Sequence, residues 1–337
     1  MNGEHVLSEQ HTLNDGNTIP VVALGTSRIQ ISEASDVITT AVNIGYRHFD
    51  TSEVYENTAL LGEGIRKVLL LGKVKRKDLF ITAKLGPCYE QHGDIETSLR
   101  ELLAILQLDY VDACLLHFPV QFKKTVKQRD ATIKWGEHLN GICDHEQVWK
   151  EMEGAVHIGL TRSIGLSNFN QQQIENILQK CTIPPAVLQT ECHAHLQMTE
   201  LVKFCQDKDI FVTAFAPLGS PGLSMHKSKY GTNFKYFTSL GNSNQPCDIY
   251  DEIIVLDLAK QHERTPAQIL LRFLIQRGIG VLPKSSNPER LKENINIFDF
   301  NLTKCEMESM KMLEKGRRIF SFGFLKEHPQ YPFTDTT

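Results

Sequence analysis

The sequence predicts a (β/α)₈ barrel, and three observations carry that prediction. Eight short apolar or β-branched runs alternate with amphipathic helical stretches, no composition shift marks a linker, and 337 residues suit one large α/β barrel. Residues 1–337 are therefore expected to form a single domain.

The chain opens on residues 11–20, where Asp15-Gly16 lies between short extended runs and predicts a β-hairpin able to plug the barrel floor. Barrel strands are expected at Val21–Leu24, Tyr46–Phe49, Leu79–Ala83, Val111–Leu116, Ser163–Leu166, Ala186–Leu188, Phe211–Ala214 and Ile279–Leu282. Helical stretches fall between them. Leu99, Leu102, Leu103 and Leu106 recur every three or four residues, giving Ile95–Leu106 one apolar stripe, with Asp94 as its expected N-cap. Thr265-Pro266 opens another helix with proline at its first position, and Ile269, Leu270, Phe273 and Leu274 form the face to be buried. Residues 119–144, 216–248 and 314–337 break the repeat and are expected as loops over the active-site face, the last a frayed tail or a lid.

Composition narrows the partner. Charges of 36 Lys+Arg against 40 Asp+Glu leave a net −4 spread along the chain, which argues against nucleic acid or an anionic membrane and for a small molecule. There is no apolar run long enough for a spanning helix, and Met1-Asn2-Gly3-Glu4-His5 does not resemble a secretory signal. The 8 cysteines lack a C-x-x-C pair or zinc spacing, so free thiols in the cytoplasm and no metal are expected.

A parallel barrel carries its chemistry at the C-terminal ends of the strands. The residues there are Thr26 and Ser27, Asp50 and Tyr55, Lys84, His117, Ser167 and Asn168, Gln189, Phe215, and Lys284 with Ser285. Each alone fits a plainer role: a strand-end lysine as a solvated charge, a histidine as a hydrogen-bonded core residue, a loop tyrosine as packing. Together, Asp50, Tyr55, Lys84 and His117 sit on neighbouring strands and can meet near the barrel axis. A lysine ammonium beside a phenol lowers the phenol's pKa, and an aspartate keeps that lysine charged, so Asp50–Lys84–Tyr55 reads as a relay for a general acid. His117 can donate to the same substrate oxygen, two donors on one oxygen being suited to a carbonyl that becomes an alkoxide.

The scheme lacks an electron source, which a hydride-donating cofactor would supply. Gly62-Glu63-Gly64 lacks a third glycine and lies in a helical stretch, so a Rossmann domain is disfavoured. Lys284-Ser285-Ser286-Asn287 with Arg290 instead falls at a barrel's habitual phosphate site, its plainer alternative being an ordinary basic helix start.

These residues resemble the aldo-keto reductases. The resemblance lies in Gly45-Tyr46-Arg47-His48-Phe49-Asp50-Thr51 with Tyr55-Glu56-Asn57, and in Leu108-Asp109-Tyr110-Val111-Asp112 leading to Leu116-His117-Phe118-Pro119. It continues in Gly159 through Phe169 and in Leu282-Pro283-Lys284-Ser285 through Arg290, Glu293 and Asn294. It implies a monomeric barrel that binds NADPH in extended form and reduces aldehydes or ketones. By position, Tyr55 would be the proton donor, Lys84 and Asp50 would tune it, and His117 would orient the carbonyl. Ser167, Asn168 and Gln189 would hold the nicotinamide amide, with Phe215 stacking on the ring and Asp50 beside it. Thr26, Ser27, Leu218 and Ser220 would line the ribose and pyrophosphate path. Lys284, Ser285 and Arg290 would grip the 2′-phosphate, and Glu293 with Asn294 the adenine, favouring NADP over NAD.

The departures lie at the substrate end. Ser27, Gly86 and Phe118 stand where relatives often carry larger aromatics, and both tryptophans, Trp135 and Trp149, fall off the expected rim. A wider pocket implies a bulky lipophilic carbonyl such as a ketosteroid. Ala194 replaces a frequent family proline, without a derivable consequence. Two rival functions are a Schiff-base aldolase using Lys84, for which borohydride trapping is diagnostic, and a non-catalytic NADPH-binding subunit, against which the intact tetrad speaks.

Overall fold

The computed structural model describes residues 9–55, 57–86, 93–121, 142–221 and 248–333. Ten strands occur among them. β1 (Gln10–Thr12) and β2 (Thr18–Pro20) form an antiparallel hairpin with Thr12 opposite Thr18. The other eight form one parallel sheet in chain order: β3 (Leu24–Gly25), β4 (His48–Ser52), β5 (Phe80–Leu85), β6 (Val111–Leu116), β7 (Thr161–Ser167), β8 (Val187–Glu191), β9 (Phe211–Phe215) and β10 (Gly280–Leu282). A parallel bridge between Val22 and Val281 closes the two ends into the expected (β/α)₈ barrel. Gly25 sits on that seam because a Cβ there would come within 2.9 Å of the Leu282 carbonyl oxygen.

The hairpin plugs the floor. Leu13 and Ile19 pack with Phe80, Leu115, Val187 and Phe211, while the His11 ring stacks on Phe211 at 4.2 Å. Asn14 donates to the Pro185 carbonyl and Asn17 to Ser163 Oγ, tying the turn to the bottom of the barrel.

Helices cover the outside with their apolar stripes inward. In the helix Asp94–Leu106, Leu99, Leu102, Leu103 and Leu106 are all buried, each contributing about 2 kcal/mol of apolar burial. The cap expected at Asp94 lies one residue earlier. Gly93 takes that position with φ of 88°, and Asp94 occupies the first turn, where its carboxylate complements the helix dipole. The helix Pro266–Gln276 starts as expected, with Thr265 and Gln268 closing a reciprocal capping box. Gly62 and Gly64 lie inside the helix Thr58–Leu70 and serve packing: a Cβ at Gly62 would meet the Leu106 carbonyl oxygen at 2.5 Å.

Several strands run further than expected. Asp50, Lys84, Ser167, Gln189 and Phe215 are strand residues rather than the first loop residues. Each polar side chain ends an apolar run in sequence, but the parallel ladder continues through it, as in the pairs Ser52–Lys84 and Ser167–Gln189.

The two long excursions lie largely outside the described residues, as do Glu56, Trp135, Cys88 and Cys247. Trp149 is buried in the helix His145–His157, its indole donating to the Ile183 carbonyl, away from the rim as expected. The six described cysteines are unbridged. The tail, described to Phe333, is ordered rather than frayed. Glu191 accepts from the Ile319 and Phe320 amides at 2.6 and 2.8 Å, and Gln330 exchanges two hydrogen bonds with the Cys143 backbone. Among the described residues no helix is long and apolar enough to cross a membrane.

Candidate active site

The parallel register brings the four expected residues together at the C-terminal end of the barrel. Lys84 on β5 bonds Asp50 Oδ1 on β4, and both side chains are buried. The other carboxylate oxygen, Asp50 Oδ2, accepts from Gln189 Nε2 at 2.8 Å. Tyr55 follows β4 through a tight turn, its amide donating to the Ser52 carbonyl at 3.0 Å. Its ring centroid lies 5.3 Å from Lys84 Nζ and 6.2 Å from the His117 ring, which it meets edge to face. The Tyr55 oxygen reaches Lys84 and Ser27 by hydrogen bonds.

Burial and charge set the protonation states. Burial raises the Tyr55 pKa above the usual phenol value, and the Lys84 charge offsets only part of that rise. This corrects the expected lowering: desolvation of the phenolate outweighs one ammonium whose charge Asp50 shares. The phenol therefore keeps its proton. Burial opposes the Lys84 ammonium, yet Asp50 and Tyr55 more than compensate and hold it above the ordinary lysine value. A Schiff-base role needs the free amine, which this pairing disfavours. Burial and then the Lys84 charge push His117 down to about 3, so its imidazole is neutral.

One rim residue has an open polar atom. Asn168 has left-handed φ of 64°, donates to the His117 carbonyl oxygen at 3.0 Å and to Ser167 Oγ at 3.2 Å, and keeps a buried Oδ1 with no partner among the described residues. A buried acceptor without a donor costs roughly 1–3 kcal/mol. A carboxamide NH₂ from a bound ring would satisfy it, so the residues present fit a nicotinamide. Gln189 also borders this place, although its amide nitrogen is already given to Asp50. Phe215, at the end of β9, meets Phe320 of the tail edge to face at 5.7 Å.

The expected phosphate residues gather at the far end of the rim. Asn287 caps the helix Pro288–Ile295 by accepting from the Arg290 amide, and Ser285 Oγ accepts from the Asn287 amide. The helix N-terminus thus faces the loop carrying Lys284 and Ser285, a ready place for an anion. Partial burial lowers the Lys284 pKa, Glu33 opposes this and Arg28 adds to it. Arg290 is exposed, Glu293 half-buried and Asn294 buried. Thr26 is buried with its hydroxyl donating to the Asp50 carbonyl, while Leu218 and Ser220 lie half-buried after β9.

At the substrate end, Gly86 donates its amide to Glu53 Oε1 at 2.6 Å. Phe118 is covered by tail aromatics, Phe322 at 4.8 Å and Phe333 at 6.1 Å. Sequence reasoning allowed for a lid in this tail but did not name Phe322 or Phe333, and it missed Glu53, Arg28, Tyr250 and Ser52. Arg28 lies 5.6 Å over the Phe320 ring. Burial pushes Tyr250 up to about 12, with Arg290 and Glu293 close enough to act on it. Ser52 was signalled by strand alternation, since it lies two residues after Asp50 and shares its face.

The sequence and the fold are shared with known proteins. The family model described as "Aldo/keto reductase family" matches residues 21–315. A rabbit (Oryctolagus cuniculus) protein, aldo-keto reductase family 1 member D1, is 37% identical over 331 residues, covering 96% of each chain. Bovine (Bos taurus) prostaglandin F synthase 1 is 37% identical over 335 residues, covering 97% of this chain and 98% of its own. The solved aldose reductase from Schistosoma japonicum superposes with TM-score 0.85 at 37% identity, over 97% of this chain and 99% of that one. A Bombyx mori aldo-keto reductase in complex with NADP gives TM-score 0.85 at 34% identity, with the same coverage.

Proposed function

The chain belongs to the aldo/keto reductase family and is an NADP-dependent oxidoreductase acting on carbonyl groups, and from that premise we propose that Tyr55 is its general acid in reducing an aldehyde or ketone to an alcohol. The observation that carries this reading is the buried Asp50–Lys84–Tyr55 chain beside His117.

Bound NADPH supplies the hydride. Asn168, Ser167 and Gln189 would hold the nicotinamide amide, Asn168 through its open Oδ1, with Phe215 against the ring and Asp50 beside it. Lys284, Ser285 and Arg290 would take the 2′-phosphate, and Glu293 with Asn294 the adenine. Thr26, Ser27, Leu218 and Ser220 would border the path between them.

Tyr55 donates its proton to the substrate oxygen as negative charge develops there. Lys84 stabilises the phenolate left behind, and Asp50 keeps Lys84 charged. His117 flanks the same oxygen and orients it. A phenol is protonated at neutral pH, and burial keeps Tyr55 so against the pull of the Lys84 charge, so it enters the reaction as the acid.

The preferred substrate is a bulky lipophilic carbonyl such as a ketosteroid. Small side chains at Ser27 and Gly86 widen the mouth, and Phe118, Phe322 and Phe333 give it an apolar wall. The bovine relative's name, prostaglandin F synthase 1, points to a lipid and supports this reading. Residues 1–337 would act as one barrel domain, as a cytoplasmic monomer, in keeping with the unbridged cysteines.

Tyr55→Phe tests the mechanism: NADPH should still quench protein fluorescence while carbonyl-dependent NADPH oxidation collapses, and unchanged turnover would remove Tyr55 from the reaction. A higher kcat/KM for glyceraldehyde than for a steroid ketone would overturn the substrate preference.

A further inference from the structure

A cleft of about 560 Å³ opens under the barrel, on the face opposite the rim. One wall is the hairpin, through Asn17 and Thr18, and the other is formed at the N-terminal ends of the barrel strands. The volume is ordinary for a small-molecule site, but the lining is charged. Four cations line it: Arg47 just before β4, Lys73 and Lys77 on the loop leading to β5, and Arg162 at the start of β7.

Two carboxylates also line the cleft, and both are already engaged. Asp78 accepts from the Lys75 amide at 2.8 Å. Asp112 accepts from Arg76 and from the Ile81 amide at 2.8 and 2.9 Å, and its other oxygen lies 3.6 Å from Arg162. Arg76 and Arg162 thus share one carboxylate, and both guanidinium groups lie against the Tyr110 ring, at 4.0 and 4.5 Å. Two cations beside one anion leave positive charge over. The remaining cations keep hydrogens to give. Lys77 is exposed and bonds nothing among the described residues. Lys73 gives one hydrogen to Asn43 Oδ1 at 2.6 Å, and Arg47 bonds the Val42 and Tyr46 carbonyls through a single nitrogen. A concave surface lined by one sign of charge focuses its field on an ion of the other.

We infer that this cleft is a second anion site, separate from the cofactor's, and that it takes a small molecule carrying several phosphate charges. The spacing of the cations sets the class. The loop with Lys73 and Lys77 leads into β5, whereas Arg162 starts β7, with β6 between them. Two strand spacings are about 10 Å, wider than one phosphate, so a chain of phosphates or a bisphosphate spans what orthophosphate does not. No histidine, cysteine or serine lines the cleft among the described residues, so the site binds without chemistry. Its occupant would brace the starts of strands that end in Asp50, Lys84 and Ser167, and so stabilise the folded barrel by mass action.

Calorimetric titration of the full-length protein saturated with NADP⁺, which fills the cofactor's own phosphate subsites, tests the site with tripolyphosphate as probe and orthophosphate as control at constant ionic strength. One tripolyphosphate should bind per chain and raise the melting temperature, with orthophosphate at least tenfold weaker. Lys73→Gln and Lys77→Gln alter exposed side chains. Each should lower the affinity about threefold, and the double variant about tenfold, as for exposed ion pairs, with KM for NADPH unchanged. Absence of saturable binding overturns the proposal, as does binding seen only without NADP⁺. Equal affinity of wild type and double variant also overturns it, and orthophosphate binding as tightly as tripolyphosphate removes the ligand class.

Discussion

Gln189 on β8 and Asp50 on β4, 139 residues apart, share a 2.8 Å hydrogen bond in the buried centre of the barrel. With Lys84 on the opposite oxygen, both sides of the Asp50 carboxylate are engaged. The bond joins the lysine that supports Tyr55 to the wall where a nicotinamide would lie. Gln189→Leu should therefore weaken NADPH binding and kcat together. Leaving the carboxylate one donor short costs about 1–3 kcal/mol, visible as a lower midpoint in urea unfolding. A variant with unaltered stability and NADPH affinity would show that the bond links nothing.

Asp50→Asn removes the partner that holds the Lys84 ammonium. Breaking a buried pair from one side costs about 3–5 kcal/mol. The Lys84 pKa should fall because burial is then unopposed by the carboxylate, so the alkaline fall of kcat/KM should shift to lower pH. A pH–rate profile identical to the wild type would detach Asp50 from the relay.

Two histidines link stability to acid. His48 donates from Nδ1 to the Pro20 carbonyl and accepts at Nε2 from Thr82 Oγ1, and burial lowers its pKa to about 4. His117 is lower still, at about 3. Both titrate near 6.5 when unfolded, so below that pH the unfolded chain binds more protons than the folded one. Stability is thus full above pH 6.5 and declines as pH falls toward 4, by about 3 kcal/mol for His48 alone. Melting curves from pH 7 to 4 should show this slope, and His48→Asn should flatten it.

The tail is anchored through Glu191, which accepts from the Ile319 and Phe320 amides and from His193 Nε2. Glu191→Gln leaves one oxygen where two served. Amide exchange at Ile319 and Phe320 should accelerate about tenfold for each 1.4 kcal/mol lost. KM for bulky ketones should rise, since Phe322 and Phe333 ride on the same segment. Exchange rates equal to the wild type would place the anchor elsewhere.

The barrel was legible because apolar runs and helical stripes alternate so regularly. The strand ends were not. Asp50, Lys84 and Gln189 interrupt hydrophobicity, yet their backbones continue the ladder, and only the register shows that they face inward together. The convergence of Asp50, Tyr55, Lys84 and His117 was foreseeable from neighbouring strands; the bond from Gln189, four strands away from Asp50, was not, nor was the sign of the Tyr55 shift, which depends on burial against charge. Ser52 and the tail aromatics stayed hidden for different reasons. Alternation puts Ser52 on the face of Asp50 only once the strand is known to run past Phe49, and Phe322 meets Phe118 only because Glu191 returns the chain over the rim.

The bridge between Val22 and Val281 joins the first barrel strand to the last. During synthesis, β3 has its β4 neighbour early, but its other edge stays open until Gly280–Leu282 leaves the ribosome. Almost the whole chain must be made before the barrel can close, so a nascent chain exposes an unpaired edge for most of its production. Closing so large a loop raises the contact order and slows folding. The cost of this seam therefore falls on the rate of folding rather than on the stability of the finished barrel.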